Sequence, residues 1–200
     1  MVAGLAWEQS PFHYLGVVMT ACKNEPTFGF GTRRLSETYL DLLDCAKALL
    51  AQTAFGPVCS ASISPGEQVA WDRVGTCEPN GYGGEENCGQ LYLRPAGAYH
   101  SEIFPIESTQ RTCKLPLAYT FELGILRCFP VPDIEDDPTS DEMMTDWGLS
   151  CMEDQAALYQ ALLCCGTPRF GDVAVVDWEP VGPQGGVIGG FWTIQIDPGS

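Results

Sequence analysis

Ten cysteines, two histidines and a run of acids are the side chains of this 200-residue sequence whose types and spacing could do chemistry. The cysteines stand at 22, 45, 59, 77, 88, 113, 128, 151, 164 and 165. A zinc site spaces thiolates so that one turn presents two ligands to a tetrahedral ion. No Cys-x-x-Cys occurs, and the adjacent Cys164 and Cys165 are a poor spacing for zinc. Cys77 and Cys88 bracket a Gly-rich loop and are the one pair whose placement suggests a bridge, which a reducing cytoplasm opposes. Cys45 and Cys151 fall at apolar positions of helical patterns, where a free thiol packs as a small hydrophobe.

The histidines offer little. Neither His13, in an aromatic N-terminal stretch, nor His100, in a strand pattern, lies in a His-x-x-x-His or Gly-x-Ser-x-Gly context. The segment Gly29-Phe30-Gly31-Thr32-Arg33-Arg34 lacks the third glycine of a dinucleotide fingerprint, and no Walker loop is found. The acids Asp133 to Asp137 could attract a hard cation, yet they lack the spaced oxygen ligands and central glycine of a calcium loop. Carboxylate pairs arise by chance among 26 acids, so they carry no sign of acid–base catalysis. The expectation is a non-enzyme with no catalytic residue, metal or cofactor. A hydrolase using Asp or Glu would need a ligand-sized cleft holding two carboxylates of raised pKa.

The charge balance narrows the partners. Ten basic and 26 acidic groups give a net charge of −16, the opposite of what a phosphate-gripping protein or a basic membrane-surface helix requires. No stretch reaches the length of a transmembrane span, so no membrane contact is expected. No Lys or Arg precedes the first apolar run, and Glu8 and Pro11 interrupt it; the mature chain is expected to start near Met1 and to fold in a cytoplasm. The second half is far more acidic than the first, net −12 against −4. Between Arg127 and Arg169 stand nine acids and no base: Asp133, Glu135, Asp136, Asp137, Asp141, Glu142, Asp146, Glu153 and Asp154. One reading is a solvated loop and helix face. The other is a surface that repels an anion or meets a basic partner.

The elements that must position these groups follow from periodicity. Residues 1–35 read as an extension broken by Pro11, Pro26 and glycines, with room for a short helix around 12–22. A helix is predicted over Glu37–Gln52, because Tyr39, Leu42, Leu43, Ala46, Leu49 and Leu50 share one face. Strands are predicted at Glu67–Val74, at Gln90–Phe104 with a bulge at Pro95-Ala96-Gly97, and at Leu117–Phe129. In the last of these, Tyr119, Phe121, Leu123 and Ile125 alternate with wetter residues. A second helix is predicted from Asp141 to Cys164, with Met144, Trp147, Cys151, Leu158, Ala161, Leu162 and Cys165 facing the core. Asp172–Trp178 and Phe191–Ile196 close the chain as strands, joined by a Gly/Pro-rich connector over 179–190 that reads as mobile or partner-shaped, or as a plain exposed hairpin tip. The fold class is α+β: a mainly antiparallel sheet of about five strands flanked by two helices, with an N-terminal extension at 1–35 and one domain over 36–200.

Two segments carry a family resemblance. One is Cys88-Gly89-Gln90-Leu91-Tyr92-Leu93-Arg94 followed by Pro116 through Cys128; the other runs from Trp178-Glu179-Pro180 through Gly182-Pro183-Gln184-Gly185-Gly186 to Gly189-Gly190-Phe191-Trp192. Together with the element order, they resemble the tail terminator proteins of long-tailed bacteriophages of actinobacteria, over residues 36–197. The resemblance implies a virion structural protein of the phage neck, assembled in the host cytoplasm. Six copies would form a ring that caps the tail tube, ends its polymerisation and offers the docking surface for the head-side connector. DNA would cross the lumen as a weakly interacting polymer. Six protomers carry roughly −96, and such a channel repels DNA instead of holding it. Asp133, Glu135, Asp136, Asp137, Asp141 and Glu142 are the candidate lumen or rim residues. Pro180, Gly182, Pro183, Gln184, Gly185 and Gly186 are the candidate docking loop, and 1–35 a docking arm. The rival readings are a connector or head-completion (stopper) ring in the same neck, and a secreted, disulfide-stabilised binding module.

Overall fold

The computed structural model describes residues 32–66, 69, 89–109, 116–129, 140–166, 172–184 and 186–197. Residues 1–31 of the expected extension lie outside these, as do the strand over Glu67–Val74 apart from Val69, and Cys77 and Cys88.

The first helix, α1 (Thr32–Leu50), carries the expected stripe, and Tyr39, Leu42, Leu43, Ala46 and Leu50 are buried. It begins five residues before the predicted start at Glu37, so it crosses the 35/36 boundary. Six strands follow in the chain: β1 (Ser60–Ile63), β2 (Gly89–Ile103), β3 (Ile106–Glu107), β4 (Leu117–Cys128), β5 (Asp172–Gln184) and β6 (Val187–Asp197). The second helix, α2 (Asp141–Ala161), lies between β4 and β5 and ends in a π turn, Leu162–Gly166. The sheet order is β1-β2-β4-β6-β5, with β3 folded back on the far end of β2. The ladders β2/β4, β4/β6 and β5/β6 are antiparallel, whereas β1 lies parallel to β2. The fold is therefore α+β with a mixed sheet. The bulge expected near Pro95 is present as a register shift against β4.

Alternation sorts the sheet into two faces. Leu91 and Leu93 of β2, Phe121, Leu123 and Ile125 of β4, and Ile194 and Ile196 of β6 pack with the buried stripe of α1 and with Ala157, Leu158, Ala161 and Leu162. Both helices thus cover the same face. The opposite face holds a smaller cluster of Tyr92, Leu126 and Val187, beside the Arg94–Glu122 ion pair.

Arg127 belongs to the apolar series of β4, two residues beyond Ile125, and its side chain accordingly enters the helix-covered face, where it is 1% exposed. Asp154 of α2, equally buried, receives it in two bonds, from Nε to Oδ2 at 2.8 Å and from Nη2 to Oδ1 at 3.1 Å. The remaining donors reach the loop after α1: Nη2 bonds the Gly56 carbonyl at 2.9 Å and Nη1 the Pro57 carbonyl at 3.4 Å. Thr53 Oγ1 donates to Asp154 Oδ1 at 2.7 Å. A Cβ at residue 89 would lie 2.7 Å from Arg127 Nη1, so glycine there keeps the guanidinium's space open.

Four expectations change. The 179–190 connector is largely strand, because β5 runs on to Gln184 and β6 starts at Val187. Its prolines fit because β5 is an edge strand, where a missing N–H breaks no ladder. Its Gly190 fits because the Trp178 ring occupies the space a side chain would need. Cys45 is no free hydrophobe: it is disulfide-bonded to Cys165, with Cα atoms 6.5 Å apart, across the contact between α1 and the end of α2. Cys59 and Cys128 are disulfide-bonded as well, whereas Cys151 and Cys164 are free. Met144 is 43% exposed, outside the core assigned to it. Finally, β1 escaped the sequence reading, because four residues flanked by Pro57 and Pro65 show no period until β2 pairs with them.

Two outcomes are expected. Arg127→Ala strands the Asp154 carboxylate and costs about 3–5 kcal/mol in urea unfolding, while the double replacement Arg127→Met/Asp154→Leu recovers most of it; equal losses in both variants would show that the pair itself carries nothing. Alkylation of the unreduced native protein labels Cys164 before Cys151, since Cys164 is exposed and Cys151 half-buried. Burial, and then the Asp154 charge, push the Cys151 thiol up to about 11, with Arg127 pulling it down. Labelling of Cys151 therefore rises about tenfold per pH unit between about 7.5 and 9.5. Peptide mapping checks this; early label on Cys45, Cys59, Cys128 or Cys165 contradicts the bridges.

Candidate assembly surface

One end of the sheet gathers the loop after α1, the end of β4, the β5–β6 tip and the first half of α2. Phe129, just past β4, joins three of them. Its N–H donates to the Gly186 carbonyl at 2.7 Å, and its ring meets Trp147 of α2 edge-on, with centroids 5.3 Å apart. Trp147 also packs on Phe55 at 4.9 Å, and the Arg127 guanidinium lies over the Phe55 ring at 5.4 Å. The Ala54 N–H donates to Glu153 Oε2 at 2.8 Å, tying the loop to α2 once more. Aromatic contacts and a buried ion pair thereby fix where this end of α2 stands.

Of the acids selected from the sequence, Asp141 and Glu142 are exposed in the first turn of α2. Ser140 caps that turn, its Oγ accepting from the Met143 N–H at 3.2 Å. Carboxylates here complement the positive end of the helix dipole, so they stabilise α2 as well as charging the surface. Asp133, Glu135, Asp136 and Asp137 lie outside the described residues, as does Gly185. Pro180, Gly182, Pro183 and Gln184 are exposed on the last part of β5, and Gly186 closes the turn with φ of 77°. Gly182 has φ of +90°, and a Cβ there would lie 2.3 Å from the Val187 carbonyl oxygen. The peptide bond between Gly182 and Pro183 is cis. The structure thus brings the hairpin tip and the start of α2 to the same end of the sheet, through Phe129.

The groups that could do small-molecule chemistry stand elsewhere. A depression of about 250 Å³ beside β3, at the far end of the β2 ladder from Arg127, is lined by Glu102, Ile103, Ile106, Glu107, Ser108 and Thr109. His100 stands on β2 with its Nδ1 buried and without a hydrogen-bond partner. His13 is outside the described residues. Among the described residues no three His, Cys, Asp or Glu side chains converge on a metal position, and no helix is long and apolar enough to cross a membrane. On the face opposite the helices, burial and the neighbouring Glu122 charge hold the Tyr92 phenol well above its ordinary range. It is a protonated packing group.

Sequence reasoning missed Arg127, Phe129 and Trp147 as the framework of this end. The available signal was Arg127 itself: a cation on the buried parity of the clearest strand demands a buried acid, and Asp154 lies on the next helix. Compared with the models of known protein families and with the curated proteins, the sequence matches none.

Replacing Gly182 with Ala is expected to cost more than about 1 kcal/mol, because it strains a left-handed residue against Val187. Gly97→Ala, which meets open space, stays within about ±0.5 kcal/mol. Urea midpoints check both; a silent Gly182→Ala would mean that the tip is not paired as described.

Proposed function

We propose that this chain is a structural protein of the neck of a long-tailed bacteriophage: a ring of six that caps the tail tube, ends its growth and offers the surface to which the head-side connector docks. The observation that carries the reading is where its resemblance lies. The segments 88–94, 116–128 and 178–192 supply the start of β2, all of β4 and just over half of β5 and of β6, four neighbouring strands of one sheet. A likeness spread over a contiguous framework concerns the fold itself and not a stray motif. The charge supports the same reading. At −16 per copy, with Asp141 and Glu142 exposed at the end of the sheet that also bears the hairpin tip, the surface favours passage of DNA over capture. The acids at 133, 135, 136 and 137 would add to that lumen or rim, and the tip at 180–186 would meet the tube, the connector or the next copy.

A second reading, a secreted disulfide-stabilised binding module, is favoured by the bonded Cys45–Cys165 pair and by the bonded state of Cys59 and Cys128. Bridges also persist on released virions, so oxidation alone does not separate the two. Assembly does. Sedimentation at low and high salt, with and without purified tail tubes, is expected to give a monomer in dilute low-salt solution and a ring of six seated on tube ends. Imaging a C-terminal label at the tube end, and not beside the portal, distinguishes the terminator from a stopper. A chain that stays monomeric in the presence of tubes removes the proposal.

A further inference from the structure

Helix α2 has two apolar faces. Ala157, Leu158 and Ala161 lie on the sheet together with Asp154. Leu149, Met152, Ala156 and Tyr159 are exposed, and at about 3.6 residues per turn they line the side of the helix opposite that core face. Leu149 is 56% and Met152 64% exposed. A helix packed on one sheet ordinarily turns charge to the solvent here. Instead the spacing is 3-4-3, the seam by which one helix lies along another. The stripe has a fixed end: the Tyr159 ring packs on Trp192 at 5.2 Å, and the Trp192 indole N–H donates to the Gln155 carbonyl at 3.0 Å. Along one flank stand Glu142, Asp146 and Glu153. The whole helix carries five acids and no Lys, Arg or His, and of these five only Asp154 is in a salt bridge among the described residues.

We propose that this stripe is the docking seam for a basic amphipathic helix of a different protein, its apolar residues along Leu149, Met152, Ala156 and Tyr159 and its Lys or Arg side chains against Glu142, Asp146 and Glu153. Charge selects this occupant. A second copy brings another −16 and an α2 without a single base, so acids would face acids. The chain has only 10 bases in all, and Arg94 and Arg127 are already held in ion pairs. Met152 supplies a flexible, polarizable side chain that adapts to a helix surface. The inference goes beyond the ring reading and stands without it.

The test uses the full chain and three synthetic peptides of equal length: Leu/Lys heptads, the same heptads with Glu for Lys, and the Leu/Lys composition scrambled out of period. Fluorescence titration is expected to show binding of the Leu/Lys heptad peptide, weakened by salt, with the other two at least tenfold weaker. Leu149→Gln/Met152→Gln, at sites too exposed to disturb folding, lowers that affinity by at least about tenfold, since both apolar contacts are lost. Circular dichroism confirms that the variant is folded. Unchanged affinity in the variant would show attraction by charge alone and overturn the seam. Equal binding of the Glu peptide, or a dimer of the wild-type chain that the same variant abolishes, would overturn the choice of partner.

Discussion

A guanidinium and a carboxylate, both removed from water, fix the arrangement of this protein. Desolvating such a pair costs several kcal/mol per ion, recovered only when nearly every donor and acceptor is satisfied. Arg127 meets that condition by bonding Asp154 twice and the loop after α1 through two carbonyls. Its demands are directional, so β4, α2 and that loop have to stand where the fork of donors points. An apolar contact in the same place would tolerate sliding of the helix. The ion pair does not, and the position of α2 over the sheet follows from it.

That position decides what the surface offers. With α2 fixed at Asp154, the ring of Trp147 falls between Phe55 and Phe129, and Phe129 in turn holds the turn of the β5–β6 hairpin. The acidic first turn of α2 and the tip at Pro183 and Gln184 therefore share one end of the sheet, although they are some forty residues apart in the chain. The same placement turns Leu149 and Met152 away from the core. The disulfide between Cys45 and Cys165 ties the other end of α2 to α1, so the helix is held at both ends by contacts of long sequence separation.

The acidity works alongside this framework and does not build it. Of the acids in α2, Asp154 serves the interior and Asp141 and Glu142 the helix terminus; the surplus faces outward with no cation beside it on the helix. A surface of one sign discourages self-association in dilute solution and steers toward basic partners. The proposed ring reading asks for the same physics: a part that waits for its assembly and then lets a polyanion slide by.

Much of the fold was legible because it rests on local periodicity. The helical stripe from Tyr39 to Leu50, the alternation from Tyr119 to Ile125 and the bend at Pro95 each follow from the chain's own neighbours. The candidate surface was legible only in part. Asp141 and Glu142 could be picked out by composition, but the glycines and prolines of 179–190 misled, since the same residues that loosen a loop also suit an edge strand beside a Trp-covered glycine. The acid for Arg127, the partner for Cys45 and the existence of β1 depend on segments distant in sequence meeting in space. By itself the sequence determined the two helices and the longer strands, the charge and the buried parity of Arg127. Only the tertiary structure decided which acid, which thiol and which edge would answer them, because burial and directional bonding are properties of packed neighbours and not of the chain.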